Sequence, residues 1–326
     1  MKPRKVLPVF LAADENYLPF MAVTLRSIIQ HANKRTEYRV YVLFAGKLGE
    51  NATLVSSMQT DNVRVEFIDV AHKANRIKSV MRCRDYYTSA IYFRLFIPEM
   101  FPEFDKAVYI DCDTVLLEDI AHLYDEELGD NFVGAVADQA VAAVDAFKAY
   151  TKNALDIPHE RYFNSGVLVL NLKALRAIPF FEAFYGILSS YDFVVAPDQD
   201  CLNLICKDRV HFLDFGWNAM PIHGGYDKRP KLVHYNLTMK PWHYEGIAYE
   251  EYFWDFAKET PFYDKIRARL TAFTAEDKRR DDEGGTRLIA LAKAEAENPQ
   301  NYARSAKKRA FENYTKIQKR GRQVWI

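Results

Sequence analysis

Residues 106–120 read Lys-Ala-Val-Tyr-Ile-Asp-Cys-Asp-Thr-Val-Leu-Leu-Glu-Asp-Ile. An apolar run carries the backbone inward and ends on two carboxylates, Asp111 and Asp113. In extended backbone, positions i and i+2 point the same way, so both acids are expected to face one pocket at a strand end. Unpaired buried charge is costly, so such a pair needs a cation, a basic side chain or a cation-bound ligand. Asp-x-Asp is common on loops, and its meaning depends on what the rest of the chain brings to it.

Upstream, strands and helices alternate. Residues 6–13 read as a buried strand that ends in the polar turn Asp14-Glu15-Asn16-Tyr17, and Met21, Leu25, Ile28 and Ala32 then recur at helical spacing. A second strand is expected at 39–45, a helix at 49–60, and a third strand where Val63, Val65 and Phe67 alternate with Arg64 and Glu66. This order predicts an α/β fold with a parallel sheet between helices, which binds ligands beyond the carboxyl ends of its strands. Asp14, Asp69 and the Asp111/Asp113 pair all fall at expected strand ends and could gather on that edge. No Gly-x-Gly-x-x-Gly follows the first strand, which argues against a dinucleotide fold. Residues 86–96 are expected to be helical and set Arg94 in an apolar surface, where either an internal ion pair or an anionic ligand would answer its charge.

Downstream, a short helix is expected at 123–128 and a strand at 132–137 that ends at Asp138. Asn164 and Ser165 directly precede an apolar strand at 167–172, where they suit either a turn or hydrogen bonds to sugar hydroxyls. A helix at 180–191 follows, then Pro197-Asp198-Gln199-Asp200, where the proline and the acids suit a helix start. After a last strand at 210–213 comes an irregular segment that includes Gly224-Gly225. Leu232-Val233-His234 then brings a histidine out of an apolar pair, with Lys240 six residues on. For His234 alone a hydrogen-bonded core histidine is the plain reading. Two Asp and one His, with the other positions open to phosphate oxygens and water, suit Mn²⁺ or Mg²⁺ more than structural zinc, and Lys240 suits a diphosphate. Residues 249–270 read as helical and aromatic-rich, and Gly284-Gly285 is expected to break the charged stretch 276–283 from a later helix.

Composition narrows the setting. The 326 residues carry 44 basic and 44 acidic side chains, so no whole-chain field favours nucleic acid. A hydrophobic share of 49% excludes wholesale disorder. The four cysteines form no Cys-x-x-Cys pair, and the apolar start is interrupted by Asp14 and Glu15; a cytoplasmic setting is expected, without a secretory signal. Residues 301–326 hold eight basic residues and one acidic, among aromatics, a pattern that suits either an anionic membrane surface or a solvated helix packed on its own protein.

In order, the stretches Ala12-Ala13-Asp14-Glu15-Asn16-Tyr17, Tyr92-Phe93-Arg94-Leu95, Tyr109-Ile110-Asp111-Cys112-Asp113, Tyr162-Phe163-Asn164-Ser165-Gly166-Val167, Pro197-Asp198-Gln199-Asp200 and His234 through Lys240-Pro241-Trp242 resemble the family 8 glycosyltransferases. Bacterial members of that family include the lipopolysaccharide galactosyl- and glucosyltransferases. The resemblance implies a GT-A fold, an αβα sandwich with a mostly parallel mixed sheet over residues 1–248, with 249–326 a helical C-terminal extension. It implies a UDP-sugar donor (UDP-glucose or UDP-galactose), Mn²⁺ with Mg²⁺ as the alternative, and retaining transfer to a saccharide acceptor in lipopolysaccharide or surface polysaccharide synthesis. A lipid-linked acceptor and peripheral contact of the basic tail with the inner face of the cytoplasmic membrane would fit that role. By the same likeness Asp14, Asn16 and Tyr17 would lie near the uridine and Arg94 by the donor sugar and diphosphate. Asp111, Asp113 and His234 would hold the metal, Lys240 would contact phosphate, and Asp138, Asn164, Asp198 and Gln199 would surround the transferred sugar. Gln199 is a poor nucleophile, so an orienting or electrostatic role is expected for it. One departure is Leu237, which stands where the family pattern has a glycine that allows close backbone approach to phosphate. Two rivals are a sugar-nucleotide-forming nucleotidyltransferase and a non-catalytic sugar-nucleotide binding module. The first would need a glycine-rich basic loop after strand one; the second has no need of the full acidic, histidine and lysine set.

Overall fold

Alternation along the strands sets the layers. The strands are β1 Lys5–Ala12, β2 Thr36–Phe44, β3 Val63–Asp69, β4 Ala107–Ile110, β5 Thr114–Leu116, β6 Val133–Ala137, β7 Phe163–Leu170, β8 Val210–Phe212 and β9 Leu232–His234. In β1, Leu7, Val9 and Leu11 enter one apolar layer while Phe10 enters the other; in β4, Val108 and Ile110 are divided from Ala107 and Tyr109 in the same way. Strands apolar on both faces must be covered on both sides by helices, the expected αβα sandwich. The computed structural model describes residues 4–83, 88–222 and 229–306. The basic tail beyond 306 and the Gly224-Gly225 pair therefore lie outside the described residues, as do the first residues of the stretch expected to be helical at 86–96.

The main sheet has seven strands in the order β3-β2-β1-β4-β7-β6-β8. Only β7 runs against its neighbours, pairing antiparallel with β4 and β6 while the remaining pairs are parallel. This is the mostly parallel mixed sheet of a GT-A fold. A second, two-stranded sheet pairs β5 with β9 antiparallel. On one face lie the helices Leu18–His31, Glu50–Ser57, Glu250–Ala257 and Tyr263–Ala272, which contribute Met21, Leu25, Val55, Phe253 and Ile266 to the core. On the other lie Asp145–Ala154, Phe180–Ser190, Pro197–Cys206 and the long helix Ala275–Glu297.

Several elements differ from the sequence expectation. The region 89–96 is a 3-10 helix, Ser89–Phe96. Asn164 and Ser165 lie inside β7, because its ladder with β6 resumes beyond an irregularity at Ala137↔Phe163. The helix expected at 123–128 is Ile120–Tyr124, begun earlier because the Asp119 side chain accepts from Ala121 N. Residues 249–270 split into two helices around Thr260-Pro261, where proline cannot continue the first. Gly284-Gly285 does not break the last helix. Each glycine costs roughly 1 kcal/mol in a helix interior, but Thr274 and Asp277 form a reciprocal cap at its start, and buried Ala292 and Ala296 dock its end. The short helices Ala71–Ile77, Gln139–Ala143 and Asp145–Ala154 were not expected.

Phe253 joins the extension to the sheet, its ring 5.8 Å from Tyr235 and 5.1 Å from Trp242. Phe253→Ala is expected to cost about 3–5 kcal/mol, read as a lower denaturation midpoint; an unchanged midpoint would mean that this packing does not support the fold.

Candidate active site

The acidic turn is held from below by the helix Leu18–His31. Thr24 Oγ1 lies 2.7 Å from the Thr114 carbonyl and 3.0 Å from that of Cys112, and Leu116 N donates to Ser27 Oγ at 3.0 Å. Asp111 N donates to Gly166 O at 2.7 Å, tying the turn to β7. β4 stops at Ile110, so Asp111-Cys112-Asp113 forms a turn between β4 and β5 and not the extended strand end that the sequence suggested. The two acids still meet, because the small sheet pairs Thr114 with His234 and lays the histidine over the turn.

Asp111, Asp113 and His234 each present one atom within 4.8 Å of the others. His234 Nε2 is 3.3 Å from Asp113 Oδ1 and 3.8 Å from Asp111 Oδ2. Asp113 Oδ1 is buried and has no hydrogen-bond partner, the condition that a bound cation would relieve. Burial works to raise the Asp113 pKa, but the Lys240 ammonium beside it holds it below the usual carboxylate range. Space for an ion is kept by Gly166: a Cβ there would come within 2.3 Å of His234 Cε1 and 2.6 Å of Asp111 Oδ2. Two carboxylates and an imidazole around a guarded gap fit a divalent metal.

Two buried cations flank the acids. Lys240 Nζ pairs with Asp113 Oδ2 and donates to Tyr235 O at 2.6 Å. Arg94 makes the internal ion pair that the sequence left open as the alternative to a ligand, with Asp111, Nη2 at 2.9 Å from Oδ1, and with Asp198, Nε at 3.5 Å from Oδ2. Arg94 also stacks on the Tyr109 ring at 4.4 Å, and Tyr109 donates to Asp111 Oδ1 at 2.7 Å. Burial alone would lower the Arg94 pKa, yet the carboxylates around it raise it further.

Beyond Arg94 the cleft is closed by amides and acids. Asp138 Oδ1 caps the helix Gln139–Ala143 by accepting from Val141 N at 2.9 Å, and its Oδ2 accepts from Asn164 Nδ2 and Gln199 Nε2 at 3.0 and 2.9 Å. Gln199 Oε1 accepts from Ser165 N at 2.9 Å. Burial raises the Asp198 pKa, with Arg94 opposing. Asp200, the third member of the 198–200 group, points away and is sandwiched between the hydroxyls of Tyr162 and Tyr150 at 2.6 and 2.7 Å.

At the other end, Asp14 and Tyr17 line the cleft, and Asp14 Oδ1 accepts from the backbone N–H groups of Asn16 and Tyr17 at 3.0 Å. Asn16 faces an adjoining pocket that shares Asp14, Tyr17 and Lys240 with the main one. Asp69 does not join the site; its Oδ1 accepts from Ala71 N at 2.8 Å, just before the next helix. Leu237 keeps a left-handed backbone, φ +54°, so the turn holds a glycine-like shape despite a side chain that costs about 1–2 kcal/mol there. Gly166, Tyr109, Thr24 and Asn218 were not singled out from the sequence. Gly166 stood in the 162–167 stretch that carries the family resemblance, but no role was drawn for it there.

Gly166→Ala is expected to weaken binding of a divalent ion at this cluster by about 100-fold, a few kcal/mol of steric and ligand displacement, with Mn²⁺ as the probe and the electron paramagnetic resonance signal of the free ion as the readout; undiminished binding would place the ion elsewhere. Burial lifts Asp200 to about 7 in the folded state, against roughly 3.9 in the unfolded chain. The folded state thus binds more protons between these values, and stability falls as pH rises through that window. Wild-type stability relative to Asp200→Asn is expected to decline from about pH 4 to about pH 7; a difference independent of pH would contradict this.

With this geometry in place, comparison with known proteins is informative. The family model described as "Glycosyl transferase family 8" matches residues 8–246. The lipopolysaccharide 1,2-glucosyltransferase of Escherichia coli (strain K12) is 29% identical over 272 residues, covering 74% of this chain and 76% of that protein. The structure of galactosyltransferase LgtC in complex with donor and acceptor sugar analogs superposes with a TM-score of 0.69 at 27% identity, covering 81% of this chain and 100% of that one. The apo structure of the bifunctional glycosyltransferase WbbM gives a TM-score of 0.71 at 28% identity, with 83% of this chain spanning 53% of that longer protein. Fold, site and family model agree, and the chain belongs to glycosyltransferase family 8.

Proposed function

We propose that this chain is a retaining hexosyltransferase that moves a hexose from UDP-glucose or UDP-galactose to a hydroxyl of a saccharide acceptor. Mn²⁺ is the preferred ion for Asp111, Asp113 and His234, with Mg²⁺ as the alternative. The observation that carries this reading is the orphaned Asp113 Oδ1, which faces His234 Nε2 beside buried Lys240. Next to it stands a wall of Asp138, Asn164, Asp198 and Gln199 able to bind several sugar hydroxyls.

A divalent ion bound there supplies Lewis-acid stabilisation of the leaving diphosphate, several kcal/mol in comparable sites. In the same reading Lys240 exchanges Asp113 for a phosphate oxygen and stabilises charge as UDP leaves. Arg94 stays charged between Asp111 and Asp198 and keeps both carboxylates oriented. Asp14, Asn16 and Tyr17 take the uridine, with the Tyr17 ring stacking on the base. Gln199 has its amide committed to Ser165, Asn164 and Asp138, which suits orientation of the sugar and not covalent attack. The acceptor hydroxyl then attacks the anomeric carbon on the face that the diphosphate vacates, and the leaving phosphate oxygen takes its proton.

Residues 1–248 carry every proposed donor contact. The extension 249–326 adds Leu288 to the rim of the cleft, which suits a part in acceptor binding. The named activity of the Escherichia coli relative supports a role in lipopolysaccharide or surface polysaccharide synthesis; for a lipid-linked acceptor and a place at the cytoplasmic membrane surface the support is the basic, aromatic composition of residues 301–326. No described helix is long and apolar enough to cross a membrane.

A screen of UDP-sugars with Mn²⁺, following slow donor hydrolysis, tests the reading without a known acceptor. UDP release from one donor is expected; pyrophosphate release from UTP and a sugar phosphate would point to a nucleotidyltransferase, and binding without turnover to a non-catalytic module. Asp113→Asn is expected to lower turnover by at least about 100-fold, in line with the loss of several kcal/mol of ion-derived stabilisation, with folding unchanged. Full activity of that variant in a metal titration would remove Asp113 from the ion.

A further inference from the structure

Asn218 lies at the end of a 3-10 helix, Phe215–Asn218, and is completely buried. Its two amide atoms bridge the metal ligand to the sugar-side wall. His234 Nδ1 is 3.0 Å from Asn218 Oδ1, and Asn218 Nδ2 donates to Asn164 Oδ1 at 3.0 Å. The polarity of this chain follows from backbone groups, whose roles are fixed. Gly166 N can only donate, and it points at Asn164 Oδ1 from 3.0 Å, so that atom is the acceptor. The other end agrees: Asn164 Nδ2 faces Asp138 Oδ2 at 3.0 Å and Gln199 Oε1 at 3.2 Å, and the latter already accepts from Ser165 N. The atom that Asn218 turns toward Asn164 must then be Nδ2. Its Oδ1 therefore faces the imidazole, and His234 Nδ1 carries the proton. In the neutral ring, the form that a metal ligand requires, Nε2 then has its lone pair aimed between Asp111 and Asp113.

We infer that Asn218 is a positioning residue: it sets the ring orientation and tautomer of His234 and, through Asn164, couples the metal ligand to the sugar-binding wall. The inference rests on the proposed metal role of His234 and adds a residue to it. Outer partners of this kind typically change metal affinity by about 10–100-fold when removed.

The test measures Mn²⁺ affinity of the nucleotide-free protein by the resonance signal of unbound Mn²⁺, together with melting temperature and transfer rate. Asn218→Leu removes both contacts and is expected to weaken Mn²⁺ binding by about 10–100-fold. Asn218→Asp keeps an acceptor for His234 Nδ1–H but turns a second acceptor toward Asn164 Oδ1. It is expected to hold Mn²⁺ within about threefold of wild type, since carboxylate–histidine pairs also support metal ligands, while the transfer rate falls at least about tenfold as the Asn164 wall is disturbed. A residue that merely fills space would not separate these two readouts. Unchanged Mn²⁺ affinity in Asn218→Leu, or equal losses of binding and transfer in Asn218→Asp, would overturn the inference. If Asn218→Leu shows no folding transition, Asn218→Asp decides alone. Wild-type protein without Mn²⁺ affinity would overturn the metal reading itself, and this inference with it; wild-type binding with unaltered variants would overturn the inference alone.

Discussion

Two carboxylates and an imidazole lone pair converge on one guarded point, and the rest of the site answers the cost of that arrangement. Three acceptors facing each other repel, and burial strengthens the repulsion. Arg94 and Lys240 offset part of it, one against Asp111 and the other against Asp113. Asp113 Oδ1 is left over without a hydrogen-bond partner, an atom that a bound cation would satisfy. That single uncompensated atom ties the electrostatics of the apoprotein to the chemistry proposed for the loaded one.

The fold delivers these groups from remote parts of the chain. β4 ends at the edge of the main sheet, and the helix Leu18–His31 fixes the turn after it through Thr24 and Ser27. The small β5–β9 sheet brings His234 across more than a hundred residues of sequence. Reversal of β7 lays Asn164, Ser165 and Gly166 alongside the same turn, so that the proposed metal and sugar ends share one strand. Aromatic packing of Tyr235 and Trp242 on Phe253 then anchors the segment that carries Lys240.

Much of this was legible in the sequence for a physical reason. Asp111, Asp113, His234 and Lys240 carry their chemistry in their residue types, and each sits at the boundary of an apolar run that a strand accounts for. The layers followed from the strand–helix order of residues 6–67. Gly166 was not legible because its contribution is a missing Cβ, which matters only once His234 is folded onto it. Asn218 was not legible because the role inferred for it is set by a backbone N–H on β7, remote in sequence. The paired glycines at 284–285 misled for the opposite reason: local propensity predicted a break, and docking of Ala292 and Ala296 overrode it. The i, i+2 argument for the two acids reached the right pocket by the wrong geometry, since a turn and not a strand brings them together.

The most direct measurement is anomalous diffraction at the manganese edge from crystals of the protein with UDP and Mn²⁺. The account predicts one peak among Asp111, Asp113 and His234 Nε2, in contact with both phosphates, with Lys240 moved from Asp113 onto the diphosphate. A peak away from His234, or UDP bound in the cleft with no ion among these three side chains, would contradict it.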